Sequence, residues 1–331
     1  MTMLNDYFSL LLKHQEFKRF EFQVTDIFRK TINNNICKNE IQNIKELTRN
    51  LDNLTKKIVI SKANLEIDID IEAKFIHGNV LRVEFIHNSK KFIRELGDII
   101  FINKLLFNNC KYFERYTITQ FKKAKKKNKI ITSWEIEPEQ LYLLNNFPEF
   151  ELYNKNILTK SYSLPNYSKC QGSYGLLPKN DPDEFIYISA PLLDIIKEER
   201  KSIRMQQILN VTNEKAIGYL AMMVLGENYS CLLTNNVSDF VHNYLSLKIG
   251  EVTVCNDILI NKEAADFLNE ILSYIHKFKT YKYATLQKGV TYLECINDIN
   301  DESFVKNKEE NFASKGFGVI NITIHMNKIN K

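Results

Sequence analysis

The stretch Leu65-Glu-Ile-Asp-Ile-Asp-Ile-Glu72 alternates apolar and acidic residues without a break. A period of two puts every apolar side chain on one face and every acid on the other, the pattern of a half-buried strand with an acidic outer face. Just before it, Ile44, Leu47, Leu51, Leu54 and Ile58 recur at spacings of three and four. That spacing predicts an amphipathic helix over 39–58 with a core-facing side, the repeat being too short for a coiled-coil seam. A chain that changes period in this way packs helices on a sheet, which places it in the α/β class.

Other segments fill in that outline. Residues 4–30 are helical, with apolar positions Leu4, Phe8, Leu11, Leu12, Phe20, Val24, Ile27 and Phe28. His77-Gly-Asn79 reads as a turn and Val80–Ile86 as a strand returning from it, with further strands at Gly97–Ile102 and Tyr116–Phe121. Ile136-Glu-Pro138 opens a helix running to Asn146, proline standing in its first turn, and 147–153 is extended. Residues 154–184, with Pro165, Gly172, Gly175, Pro178 and Pro182, are loop-like. Helices are expected at 189–208, 213–225, 236–247 and 262–276, and strands at Val290–Cys295 and Val319–His325. The expected organisation is a helical part over 1–62 packing on a core over 63–155, then an α-rich C-terminal portion over 156–331.

Of the 331 residues 44% are apolar, enough for a substantial core, and the net charge is +5. So slight an excess of cations makes any nucleic-acid surface a local patch rather than a global field. The run Lys122, Lys123, Lys125, Lys126, Lys127 and Lys129 is such a patch, although a run of this kind is most often a solvated loop. Cys37, Cys110, Cys170, Cys231, Cys255 and Cys295 are too dispersed for a zinc knuckle and read as reduced thiols. The N-terminal Met1–Asp6 does not pattern as an export signal, and the longest apolar run, Tyr219–Leu225, is too short to span a bilayer. The expectation is a cytoplasmic protein with no membrane partner.

One constellation carries chemistry. Metal-assisted phosphodiester hydrolysis needs oxygen ligands for a hard cation, a nearby ammonium group and room for the phosphate. Gly97-Asp98 opens one strand and Gln120-Phe-Lys122 closes the next. Alternation sets Gln120 and Lys122 on one face, with Phe121 on the other. The plain readings are a turn aspartate beside a glycine and the exposed face of an edge strand. A rival constellation, Glu72-Ala-Lys74, follows Asp68 and Asp70 on one strand, with Asp52 as its distant acid. Gln140, on the following helix, either reaches the site or lies on the surface. Trp134 could stack on a base but better suits packing, His77 suits a turn or a phosphate contact, and His87 lies at the other end of the same predicted hairpin.

In Gly97-Asp98 and Gln120-Phe-Lys122 the chain resembles the PD-(D/E)xK nuclease superfamily, and looks closest to its Mrr-like branch, whose last element is often Q-x-K. The longer phrase from Arg94 through Phe150 is also similar to a group of uncharacterised bacterial proteins with this signature. The resemblance implies a restriction-endonuclease-like mixed sheet flanked by helices. It implies Asp98 and Gln120 as ligands of Mg²⁺ or Mn²⁺ and Lys122 positioning the nucleophile; Glu95, three residues before Asp98, is either an accessory acid or a residue that simply orients the turn. It implies DNA as substrate and a role in defence against foreign DNA; beside such a site, Lys123, Lys125, Lys126 and Lys127 would neutralise backbone phosphates. The protein would act as a homodimer or as the partner subunit of a defence complex. A non-cleaving nuclease-fold subunit that binds or assembles is the alternative, because Gln120 brings no charge.

Overall fold

The computed structural model describes residues 2–34, 40–77, 81–124, 132–152, 161–165, 170–178, 181–197, 202–209, 230–273 and 316–329. The chain opens with α1 (Thr2–Lys13), α2 (Gln15–Asn34) and α3 (Glu40–Leu51). Ile44, Leu47 and Leu51 are the buried stripe of α3, as their spacing predicts. The helix stops at Leu51 rather than running to 58. Asn53 takes a left-handed backbone conformation (φ 62°) and Leu54–Ile60 forms strand β1. Leu54 and Ile58 stand four residues apart, a separation that period two satisfies as well as a helix does, and asparagine tolerates the left-handed turn between the two elements.

β2 (Leu65–His77) buries Leu65, Ile67, Ile69 and Ile71 on one face and pairs antiparallel with β1. It does not form a hairpin with the strand after it. β3 (Arg82–His87) belongs to a separate four-stranded sheet with β4 (Lys90–Glu95), and later β8 (Phe150–Leu152) and β9 (Ser161–Tyr162), in the order β4-β3-β8-β9. The tight turn of that region is Asn88-Ser89, both with positive φ, joining β3 to β4. β5 (Ile99–Phe107) and β6 (Cys110–Lys123) are an antiparallel pair turned at Asn108-Asn109.

The remaining elements are β7 (Ser133–Glu135), α4 (Pro138–Asn146), β10 (Gly172–Leu177), β11 (Ile186–Ser189), α5 (Ala190–Lys197), β12 (Ser202–Arg204), α6 (Met205–Leu209), β13 (Leu233–Thr234), α7 (Val237–Leu245), β14 (Glu251–Cys255), β15 (Ile258–Leu259), a helix α8 over 262–273 and β16 (Gly316–Lys328). The expected helix at 189–208 is thus broken into α5, β12 and α6. The expected helix at 213–225 and strand at Val290–Cys295 lie outside the described residues. β10 falls inside the segment read as loop. Its Gly172 admits the close approach of α4: a Cβ there would stand 2.0 Å from the Leu144 carbonyl oxygen.

The large mixed sheet has ten strands, in the order β1-β2-β16-β5-β6-β10-β11-β13, with β14 on β6 and β15 on β14. β16 lies parallel to β5 and antiparallel to β2, so a strand from the end of the sequence fills the centre of the sheet. The sheet is therefore continuous across the 155/156 boundary, and residues 156–331 supply strands as well as helices. α1, α2, α3 and α7 cover one face, with Phe240 of α7 edge-on to Phe28 and Phe101. α4, α5, α8 and the small sheet cover the other, where Ile100, Ile102, Tyr116 and Ile118 point. This is the expected α/β arrangement of a mixed sheet flanked by helices. Among the described residues no helix is long and apolar enough to cross a membrane.

Candidate active site

Asp98 lies at the entry to β5 and is fixed through its backbone from both sides. Its N–H donates to the Thr119 carbonyl of β6 (3.0 Å), and its carbonyl accepts from the Gly318 N–H of β16 (2.8 Å). The carboxylate is 3% exposed. Its Oδ2 accepts from Gln120 Nε2 (2.5 Å) and from the Phe121 N–H (2.7 Å). Alternation along β6 turns Phe121 to the opposite face, against Phe185 at 6.2 Å between ring centroids. The sequence expectation that Asp98 and Gln120 meet across adjacent strands is met.

Lys122 follows on the Gln120 face but does not reach Asp98. Its Nζ pairs with Oε1 of Glu137 (3.2 Å), at the N-cap of α4. Arg94, near the end of β4, approaches the same carboxylate, its Nε 4.0 Å from Glu137 Oε2, and its Nη2 is 3.3 Å from Glu139 Oε2. Glu95 ends β4, and its carbonyl accepts from Gln140 Nε2 (2.9 Å). Gln140 is buried and ties α4 to β4, so it is not a surface residue. Glu40, the first residue of α3, accepts from the Lys123 N–H through Oε1 (2.9 Å), fastening the helix to the end of β6. Tyr174 of β10 lies beside Gln120 in parallel register, and its buried hydroxyl has no hydrogen-bond partner among the described residues.

These positions set the electrostatics. Burial pushes the Asp98 carboxyl well above the usual carboxylate range, and the charge of Glu95 pushes it further. The Phe121 N–H and the Lys122 ammonium oppose that shift, and Glu40 adds to it. The site thus concentrates negative potential on one desolvated acid. Among the described residues no three His, Cys, Asp or Glu side chains stand close enough to hold a metal ion. Glu95 and Glu40 act on Asp98 through their field. The donors that do meet are a carboxylate and an amide, hard oxygen chemistry suited to Mg²⁺ or Mn²⁺. Both hydrogen bonds to Asp98 fall on Oδ2, and the Gln120 amide nitrogen is the atom turned to it.

The other expectations sort plainly. Lys74 is ion-paired with Asp52, whose Oδ1 also accepts from the Ala73 N–H (3.2 Å). Trp134 is fully buried and donates from Nε1 to the Leu177 carbonyl (2.8 Å), a packing role. His87 lies against Tyr142 of α4, ring centroids 3.7 Å apart. Lys125, Lys126, Lys127 and Lys129, and the side chain of His77, lie outside the described residues. Glu40, Glu137 and Tyr174 were not legible as site residues. Glu40 and Glu137 look like ordinary acids at helix starts, and Tyr174 sits in a stretch with loop composition.

Comparison of the chain with family models, with curated proteins and with solved structures finds no match.

Proposed function

We propose that the chain is a metal-dependent nuclease that hydrolyses phosphodiester bonds in DNA. The observation that carries this reading is the contact of Asp98 with Gln120 across β5 and β6, with Lys122 next along the same face. Burial and Glu95 raise the Asp98 carboxyl, so a divalent cation would bind there by displacing a proton, its charge offsetting the desolvated carboxylate. Asp98 would hold the ion, joined by the Gln120 side-chain oxygen once the amide, whose nitrogen now faces Asp98, turns over, and a bound Mg²⁺ or Mn²⁺ supplies Lewis-acid stabilisation of a phosphoryl oxygen. Lys122 brings an ammonium group to the face where the phosphate sits, orienting water and offsetting the charge that develops. Glu95 and Glu40 strengthen the negative field. Lys123, with the lysines that follow it, suits the flanking phosphates, and the roles in defence and in a homodimeric or hetero-subunit assembly rest on the resemblance alone.

A second reading, a nuclease-fold subunit that binds without cleaving, is favoured by the absence, among the described residues, of any group of three ligating side chains around Asp98. Plasmid DNA incubated with the full chain and Mg²⁺ or Mn²⁺ separates the two. Cleavage that is lost in Asp98→Ala and Lys122→Ala supports the nuclease. Cleavage that both variants retain removes this site from consideration, and binding without any cleavage supports the second reading.

A further inference from the structure

The carboxylate of Glu137 joins two cations that come from different sheets. Lys122 reaches it from β6 and Arg94 from β4, at 3.2 and 4.0 Å. Glu137 occupies the N-cap position of α4, yet its side chain makes no capping hydrogen bond. It serves the cations rather than the helix. It is also the solvent-facing member, its side chain 54% exposed against 18% for Lys122 and 33% for Arg94. The Arg94 guanidinium is seated 5.7 Å over the Phe92 ring, and its Nε, closed off from solvent, has no hydrogen-bond acceptor among the described residues. Glu139 keeps hold of the guanidinium through Nη2 at 3.3 Å, so Arg94 stays in place while Glu137, between the two cations, is exchangeable, and one buried donor awaits an acceptor.

We propose that Lys122 and Arg94 form a subsite for one backbone phosphate of the bound nucleic acid, and that Glu137 holds the subsite until that phosphate displaces it. This rests on the nuclease reading for the identity of the anion. A phosphodiester presents two anionic oxygens on a tetrahedral centre and can satisfy a guanidinium and an ammonium together. Displacement frees the ammonium of Lys122 from Glu137 only when substrate has arrived. Arg94 thereby becomes a positioning residue for the strand, and Glu137 a competitor that sets its affinity.

The test is equilibrium binding of a fluorescent DNA duplex to the full chain in EDTA, so that it is read without cleavage. Glu137→Gln and Arg94→Gln are compared with Glu84→Gln, which removes the same charge from the ion pair with Lys91 on the β3–β4 hairpin. The expected result is tighter binding by Glu137→Gln, roughly threefold or more, and weaker binding by Arg94→Gln with the salt slope reduced by about one. Glu84→Gln changes affinity less than Glu137→Gln. Equal effects of Glu137→Gln and Glu84→Gln overturn the inference, as does an Arg94→Gln variant with unchanged affinity and salt slope. Arg94→Lys, which keeps the charge, restores the salt slope if the residue contacts phosphate. A protein that binds in this way but never cleaves fails the nuclease reading and keeps the subsite.

Discussion

At Asp52 and Lys74 an acid and a lysine touch; at Asp98 and Lys122 they do not. The first pair is an ordinary ion pair at the margin of the large sheet, part exposed, each charge answered by the other. In the second, Asp98 is buried and its carboxylate is bound by an amide and a backbone N–H, while the lysine is turned away to Glu137. Both fit a short pattern of a distant aspartate and a lysine two residues after a polar side chain, Glu72 in the first and Gln120 in the second. What separates them is that the Asp52 pair is electrically complete, whereas the Asp98 site keeps an uncompensated desolvated acid, a costly arrangement of the kind that clusters where chemistry is done.

The contrast can be broken in several ways. The largest expected effect is on cleavage. Lys122→Ala should lose at least about 100-fold in plasmid cleavage, the scale of removing a group that stabilises developing charge, while Lys74→Ala stays within about twofold of wild type. Equal losses in the two variants would make the pairs equivalent. Next comes crowding at Asp98. A Cβ on Gly97 would meet Ile118 Cγ2 at 2.7 Å and the Thr119 carbonyl oxygen at 3.3 Å. Gly97→Ala should therefore cost about 2 kcal/mol in chemical denaturation and push Asp98 off its seat on β6.

Smaller shifts sharpen the electrostatic half. Mg²⁺ at ten times its Kd should stabilise the wild type by about 1.4 kcal/mol and leave Asp98→Asn unmoved in a thermal melt at neutral pH. A shift that persists in Asp98→Asn locates the ion elsewhere. Without metal, Asp98→Asn itself should be the more stable protein at neutral pH, by on the order of 1 kcal/mol. The sign follows from burial and Glu95 raising the Asp98 carboxyl in the folded state. Its contribution to stability is complete below the ordinary aspartate range and is lost as pH rises through the raised value. The advantage of the variant should accordingly shrink as the melts are repeated at falling pH.

How much of this could be read from the chain depends on range. Short-period patterns sufficed for α2, the start of α3, β2, β5, β6 and α4, and for the meeting of Asp98 with Gln120, since a tight turn brings β5 back on β6. The end of α3 was misread because Leu54 and Ile58 fit both periods. β3 was given to the wrong sheet because pairing partners are chosen by tertiary packing, which alternation does not encode. β10 was hidden by its own glycines, of which Gly172 admits the approach of α4 and Gly175 that of the Phe121 ring, neither making a turn. Glu40 and Glu137 escaped notice for a similar reason. Each touches β6 from a helix start whose distance in sequence says nothing of its distance in space.

The place of β16 gives the protein a clock. β16 separates β2 from β5 and supplies the Gly318 N–H that secures Asp98. During synthesis β2 and β5 remain open edges, and the Asp98 carbonyl lacks that donor, until residues 316–328 have left the ribosome. The acid on which the proposed chemistry turns therefore waits for a strand made more than 200 residues later than itself before its backbone is held from both sides.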